Sequence, residues 1–280
     1  MTGLDSLHDE TQINAVRPIG RNRPDSTLVT DVCRFAEPAL RKPGAGNVSI
    51  TDFFGQSLEK DMNTPRKVIF YTLGCKLNFS ETATIARQFE EGGFVRAGKG
   101  ERADICVINT CAVTEHAEKK CRNIVRKAVR EHVAVTGCYA QLRPQELARI
   151  QGVDIVTGNH EKGMLYDQVA GLLGRGERTV EVHACAAEEI RSFFAAFSVG
   201  DRTRAFLKVQ DGCDYRCAYC TIPDARGASR NIPVSELVAE ARKIAFRGVK
   251  EVVLTGVNIG DFGRTTGERF LDLIRALEEV

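Results

Sequence analysis

From residue 66 onward, short runs of aliphatic and β-branched residues alternate with longer stretches whose apolar positions recur every three or four residues. KVIFYTLG, ADICVINT, HVAVTG and VDIVTGN read as strands, and SETATIARQFEEGG, AEKKCRNIVRKAVR, PQELARI and GMLYDQVAGLLG, which follow them in turn, read as helices. Strict alternation implies βαβ units and a parallel sheet covered on both faces. No G-x-G-x-x-G follows the first run and the spans are short for a dinucleotide fold, so residues 66–173 are expected to form an α/β, flavodoxin-like parallel-sheet domain.

Residues 174–203 carry a weak pattern and read as a connector, either an edge hairpin or a linker. A second series occupies residues 204–280: the strand AFLKVQ, a cysteine-rich loop, the helix SELVAEARKIAFRG, the strand KEVVLTG and the helix RFLDLIRALEEV. Two βα units cannot close a barrel, and the last strand would present an open edge, so the chain reads as part of a longer protein. Residues 1–61 hold four of the eight prolines and no sustained period. They are expected to be a disordered extension, or a stretch lying upstream of a true start at Met62.

Composition narrows the class. Hydrophobic residues make up 43% of the 280, enough for a packed core, and the net charge of +2 means that any nucleic-acid surface must be local. There is no long apolar run and no basic, apolar leader at the N-terminus, so the expectation is a cytoplasmic monomer without a membrane span. In that compartment ten cysteines point to metal or redox chemistry rather than to a disulfide framework.

Cys75, Cys111 and Cys138, in TLGCKLN, NTCAVTEHAEKK and TGCYAQ, each stand at the carboxyl end of a predicted strand. Ligands of open parallel sheets bind beyond those ends, so three thiols in the same register suggest a metal or cluster site. Cys106, inside ICVI, and Cys121, inside the helix AEKKCRNIVRK, read as core or surface thiols rather than ligands, and nothing is assigned to Cys33 or Cys185. The second group is Cys213, Cys217 and Cys220 in CDYRCAYCTIP. A structural zinc site wants four ligands, and no second C-x-x-C or H-x-x-x-H follows, which leaves zinc as the lesser alternative. Three thiolates on an iron–sulfur cluster leave one iron with an open position for a substrate or cofactor.

The C-x-x-x-C-x-x-C spacing, with Tyr219 before the last cysteine, resembles the radical S-adenosylmethionine enzymes. Together with the GC, NTC and GC motifs upstream, residues 66–280 resemble the methylthiotransferases. YTLGCKLNFSET, LKVQDGCDYRCAYCTIPDARGASR and VVLTGVNIGDFG are most similar to the branch acting on threonylcarbamoyladenosine beside the tRNA anticodon. The resemblance implies that residues 204–280 begin a partial TIM-type barrel, whose remainder, with a TRAM domain, lies outside this chain. It implies two [4Fe-4S] clusters, on Cys75, Cys111 and Cys138 and on Cys213, Cys217 and Cys220, with S-adenosylmethionine at the second. Tyr219, Thr255 and Gly256 would contact that cofactor, tRNA would be the substrate, and flavodoxin or ferredoxin would supply electrons. Asp224 departs from the family pattern. Isopentenyladenosine tRNA, a ribosomal protein substrate, or a non-catalytic cluster or zinc module that binds RNA remain as alternatives.

For RNA contact, Arg226 and Arg230 in PDARGASR follow the cysteine loop and carry the planar fork suited to phosphate and base edges. The helix 117–130, with Lys119, Lys120, Arg122, Arg126, Lys127 and Arg130 against Glu118, reads either as a phosphate-binding patch or as a solvated face.

Overall fold

In the computed structural model, described for residues 65–98, 100–112, 114–128, 132–175, 179–200 and 204–280, the predicted alternation appears as β1 (Lys67–Thr72), α1 (Lys76–Glu91), β2 (Val95–Arg96), β3 (Ile105–Thr110), α2 (Glu115–Lys127), β4 (His132–Gly137), α3 (Cys138–Leu142), α4 (Pro144–Ala148), β5 (Val153–Thr157), α5 (Leu165–Arg175) and β6 (Glu181–His183). These strands form one parallel sheet in the order β2-β1-β3-β4-β5-β6. Its first five members follow the flavodoxin-like order, which reverses direction between β1 and β3. Expectations that rest on residues 1–61, on Cys33 or on Arg130 lie outside the described residues.

Period-two alternation along β3 decides what each face of the sheet packs against. Cys106 and Ile108 join Cys121 and Val125 of α2, Tyr139 and Ala140 of α3, and Leu147 of α4. Ile105 and Val107 point the other way, onto Ile85 and Phe89 of α1 and Leu165, Val169 and Leu172 of α5. Of the two readings left open for Cys106 and Cys121, core or surface thiol, core holds for both, and burial pushes the Cys121 thiol up to about 11.

The rest of the chain supplies β7 (Ala205–Lys208), α6 (Ile222–Arg226), α7 (Val234–Phe246), β8 (Val252–Thr255) and α8 (Phe270–Leu277). β7 and β8 pair in parallel, and Leu207, Val209, Leu237, Ala241, Ile244 and Leu273 form their core. This is a second βα series, as the sequence pattern implied.

The connector belongs to both lobes. Its first part is β6, a parallel edge strand added to β5 rather than one arm of a local hairpin. Residues 196–198 then run antiparallel to β7, with Ser198 N donating to Phe206 O at 3.0 Å and Lys208 N to Ala196 O at 2.9 Å. On the side facing α1, Arg87 Nη1 and Thr84 Oγ1 donate to Phe197 O at 2.9 and 3.2 Å, and the Arg87 guanidinium lies 3.9 Å from the centre of the Phe197 ring. Among the described residues no helix is long and apolar enough to cross a membrane.

Candidate functional site

The three strand-end cysteines lie on adjacent strands. Thr110 pairs with Gly137 across β3 and β4, so Cys111 and Cys138 follow in step, and Thr72 pairs with Asn109 across β1 and β3. Glycine makes the close approach possible. Gly74 and Gly137 have φ of 102° and 100°, a region that side chains disfavour. A Cβ on Gly74 would lie 2.9 Å from Cys111 Cβ and 3.0 Å from its Sγ, and one on Gly137 would lie 2.4 Å from Thr110 O. The GC pairs in the sequence therefore have a physical basis: each glycine lets its cysteine loop close onto the end of β3.

Hydrogen bonds then hold these loops in place. Asn78, buried on the first turn of α1, donates from Nδ2 to Leu73 O at 2.8 Å and to Thr110 O at 2.9 Å, which joins the Cys75 and Cys111 loops. Thr110 Oγ1 donates to Thr136 O at 2.5 Å and accepts from Ala140 N at 3.2 Å, joining Cys111 to Cys138. Cys75 is the N-cap of α1, in an extended backbone conformation. It is exposed, whereas Cys111 and Cys138 are buried.

The second thiol set lies on the loop between β7 and α6. Gly212, with φ 71°, passes so close to Ala228 O that a Cβ would lie 2.0 Å from it, and Cys213 N donates to Gly227 O at 3.0 Å. Gln210 organises the start of this loop, donating to Asp211 O, Gly212 O and Ser229 Oγ at 2.8 to 3.0 Å while accepting from Asn258 N at 2.8 Å. Cys217 is exposed and Cys213 and Cys220 are half-buried. A cavity of about 280 Å³ lies beside Cys213, between Glu188 and Arg191 on one side and Arg216 and Gly227 on the other.

Among the described residues no three His, Cys, Asp or Glu side chains are grouped closely enough to hold a single metal ion. A four-iron cluster is bulkier than one ion and spreads its ligands farther apart, and its chemistry calls for soft thiolates, which both triads supply. The donor sets and the glycine-lined approach at Gly74 fit such a group.

Comparison with known families agrees with this division. Residues 67–158 match the family described as uncharacterized protein family UPF0004, and residues 207–279 match the radical SAM superfamily. The chain thus carries one segment matching each of these two families. A threonylcarbamoyladenosine tRNA methylthiotransferase MtaB of Bacillus subtilis is 38% identical over 200 residues, covering 70% of this chain and 44% of that protein. The protein of the same name from Aquifex aeolicus is 37% identical over 219 residues, covering 76% of this chain and 53% of its own length. A tRNA-2-methylthio-N(6)-dimethylallyladenosine synthase of Akkermansia muciniphila is 31% identical over 240 residues, covering 76% of this chain and 52% of that protein. The chain thus spans about half the length of the curated relatives it matches.

Between the UPF0004 and radical SAM domains lies a group of charges that sequence reasoning missed. Glu81 of α1 accepts from Lys162 Nζ at 2.7 Å, Lys208 Nζ at 2.9 Å and Arg226 Nη1 at 3.0 Å. Asp211 accepts from Arg226 Nη1 at 2.9 Å and Arg230 Nη2 at 3.3 Å, and it also pairs with Lys208. Burial alone would raise the Glu81 carboxyl, but Arg226, Lys162 and Lys208 override it and hold that group well below the ordinary carboxylate range. Asp211 is lowered in the same way, against its burial, by Lys208, Arg226 and Arg230.

This network overturns one expectation. Arg226 is 1% exposed, and besides its two carboxylates it donates from Nη2 to Asn78 Oδ1 at 2.6 Å. Arg230, 7% exposed, donates to the carbonyls of Ser192, Arg226 and Ala228. Neither guanidinium is presented to RNA; both are consumed inside the protein. The helical turn α6, which follows the cysteine loop directly, turns Arg226 inward. Tyr219, by contrast, is 92% exposed at the cysteine loop. Thr255 is buried and donates to Leu207 O at 3.2 Å, and the space a Gly256 side chain would need is taken by Gln210 and Ile259. Asp224, unusual for the family, is paired with Arg216 at 3.1 Å on the surface.

Proposed function

We propose that this protein transfers a methylthio group to C2 of N6-threonylcarbamoyladenosine at position 37 of tRNA, beside the anticodon. The observation that carries this is the combination, in one compact unit, of a thiol triad at the switch point of a flavodoxin-like sheet with the three-thiol loop of a radical SAM domain. The substrate follows from the relatives in Bacillus subtilis and Aquifex aeolicus, whose names specify threonylcarbamoyladenosine tRNA.

Cys213, Cys217 and Cys220 would hold one [4Fe-4S] cluster, with its open position for S-adenosylmethionine, and Cys75, Cys111 and Cys138 would hold another. When bound, these groups supply the radical and sulfur-transfer chemistry that no protein side chain provides. The chain's own part is positional. Asn78, Thr110 and Gly137 hold the first three thiols at one sheet edge, and Gln210 and Gly212 shape the second loop. Tyr219, next to Cys220 and 92% exposed, would contact the cofactor. Flavodoxin or ferredoxin is the expected electron donor.

Iron and sulfide analysis after anaerobic reconstitution tests the centre. Eight irons are expected per chain, four after Cys217→Ala and four after Cys75→Ala; stoichiometric zinc without iron overturns the proposal. For the substrate, nucleoside mass spectrometry of tRNA from a deletion strain should show loss of methylthio-threonylcarbamoyladenosine.

A further inference from the structure

With Arg226 and Arg230 buried, the RNA surface must lie elsewhere, and α2 has the required features. Lys119, Lys120, Asn123, Arg126 and Lys127 are all exposed. At about 100° per residue they fall within an arc of about 120°, while Cys121, Val125 and Ala128 occupy the opposite, buried side. None of the four cations on this face has an ion-pair partner among the described residues. The helix contains two acids: Glu115 at its start, and Glu118, which is buried and satisfied by Arg122 at 3.6 Å and Arg143 at 3.9 Å.

Other basic stretches differ in this respect. On α7, Arg242 and Lys243 are interleaved with Glu236 and Glu240, and Lys243 pairs with Glu240 at 2.6 Å. Near the cysteine loop, Arg216 and Arg264 are taken up by Asp224 and Asp214.

Position adds to charge. α2 begins just after Cys111, and Cys121 Sγ donates to Cys111 O at 3.5 Å, so the helix is anchored to the first thiol triad. From Lys119 to Lys127 the face runs about 12 Å back from that sheet edge, the reach of several phosphates. Beside it a cavity of about 480 Å³ is lined by Arg126, Arg149, Ile150 and Gln151, together with Arg122 and Glu146, which bind one another and Tyr139.

We infer that this face of α2 is the track for the RNA backbone, leading phosphates away from the Cys75, Cys111 and Cys138 edge where the base would be held. This rests on the proposed tRNA substrate and adds the surface that receives it. An acidic protein is the rival occupant. A strand of RNA fits better because the face carries four cations and an asparagine with no apolar anchor among them, whereas protein interfaces centre on buried aromatic or aliphatic groups.

The test uses the whole chain, a synthetic anticodon stem–loop RNA, and a variant with Lys119→Gln, Lys120→Gln, Arg126→Gln and Lys127→Gln. Each single-stranded phosphate contact adds about 0.7 to the slope of log Kd against log salt, so the variant's slope should fall by about 3 and its affinity at least tenfold at about 0.1 M salt. Circular dichroism and iron content should be unchanged. Arg242→Gln with Lys243→Gln on α7 should bind as the wild type does. Three results overturn the inference: equal slopes for wild type and α2 variant, an equal loss from the α7 variant, or unchanged RNA binding with loss of reduction by flavodoxin. The first two leave the methylthiotransferase proposal standing. Failure of the wild type itself to bind the RNA overturns this inference and the tRNA substrate together, while the iron analysis still decides the clusters.

Discussion

At the scale of single residues, the small and uncharged positions beside the cysteines matter as much as the thiols. Gly137 combines a positive φ with a Cβ position 2.4 Å from a backbone oxygen that cannot retreat without breaking the β3–β4 pairing. Gly137→Ala should therefore lose at least about 1–3 kcal/mol, the cost of one strained residue, seen as a lower midpoint in thermal denaturation. A matching substitution at Gly93, whose φ is also positive but whose Cβ would meet nothing within 4 Å, should cost less. Asn78→Ala leaves two buried carbonyls and the Arg226 guanidinium short of a partner. A loss of about 2–3 kcal/mol in urea unfolding is expected. The strand-end cysteines could be picked out from sequence because they recur in register; Asn78 could not, since it stands two residues before the run that reads as a helix and looks like an ordinary polar position until its carbonyl partners are known.

For the elements, the strands were legible because β-branched runs bounded by glycine have few other uses. Helix starts were less so. α1 begins at Lys76, straight after Cys75, rather than near Ser80: the polar residues Asn78, Ser80, Glu81 and Thr82 are buried beside Leu77, so no apolar period marks its first turns. α3 and α6 have five residues each, too short for any periodicity to register. The connector shows how a weakly patterned segment can still be structural: residues 196–198 are held by β7 on one side and by Arg87 and Thr84 on the other. Burial, followed by the neighbouring Arg247, already lowers the Arg87 guanidinium to about 10. Arg87→Ala removes a hydrogen bond and the stacking on Phe197, and should cost about 1–3 kcal/mol while speeding hydrogen exchange at the amides of residues 196–198 more than at those of β4.

Across the whole molecule, the Glu81 and Asp211 network joins the two domains. Removing one partner of a buried pair costs about 3–5 kcal/mol, so Glu81→Gln should lower stability by that order and should split a single calorimetric transition into two as the domains uncouple. The folded-state carboxyls of Glu81 and Asp211 are lowered relative to the unfolded chain, so their stabilisation is complete above the ordinary carboxylate pKa of about 4 and is lost as pH falls below it towards the depressed folded values. Unfolding free energy should therefore fall steeply with acidification below about pH 4. The slope should be shallower in Glu81→Gln, which no longer titrates at that position.

The sequence alone determined the alternation of strands and helices and the parallel sheet, because hydrophobic period is a local property carried by neighbouring residues. Only the tertiary structure decided where the charges go. Arg226 and Arg230 look like surface cations in PDARGASR, yet they are buried because acceptors 145 and 19 residues away, on Glu81 and Asp211, are brought to them by packing. Lys119, Lys120, Arg126 and Lys127 could be placed on a helix from sequence, but that none of them is ion-paired among the described residues is a property of the folded surface. Electrostatic partners are set by distance through space, and a sequence holds that distance only implicitly.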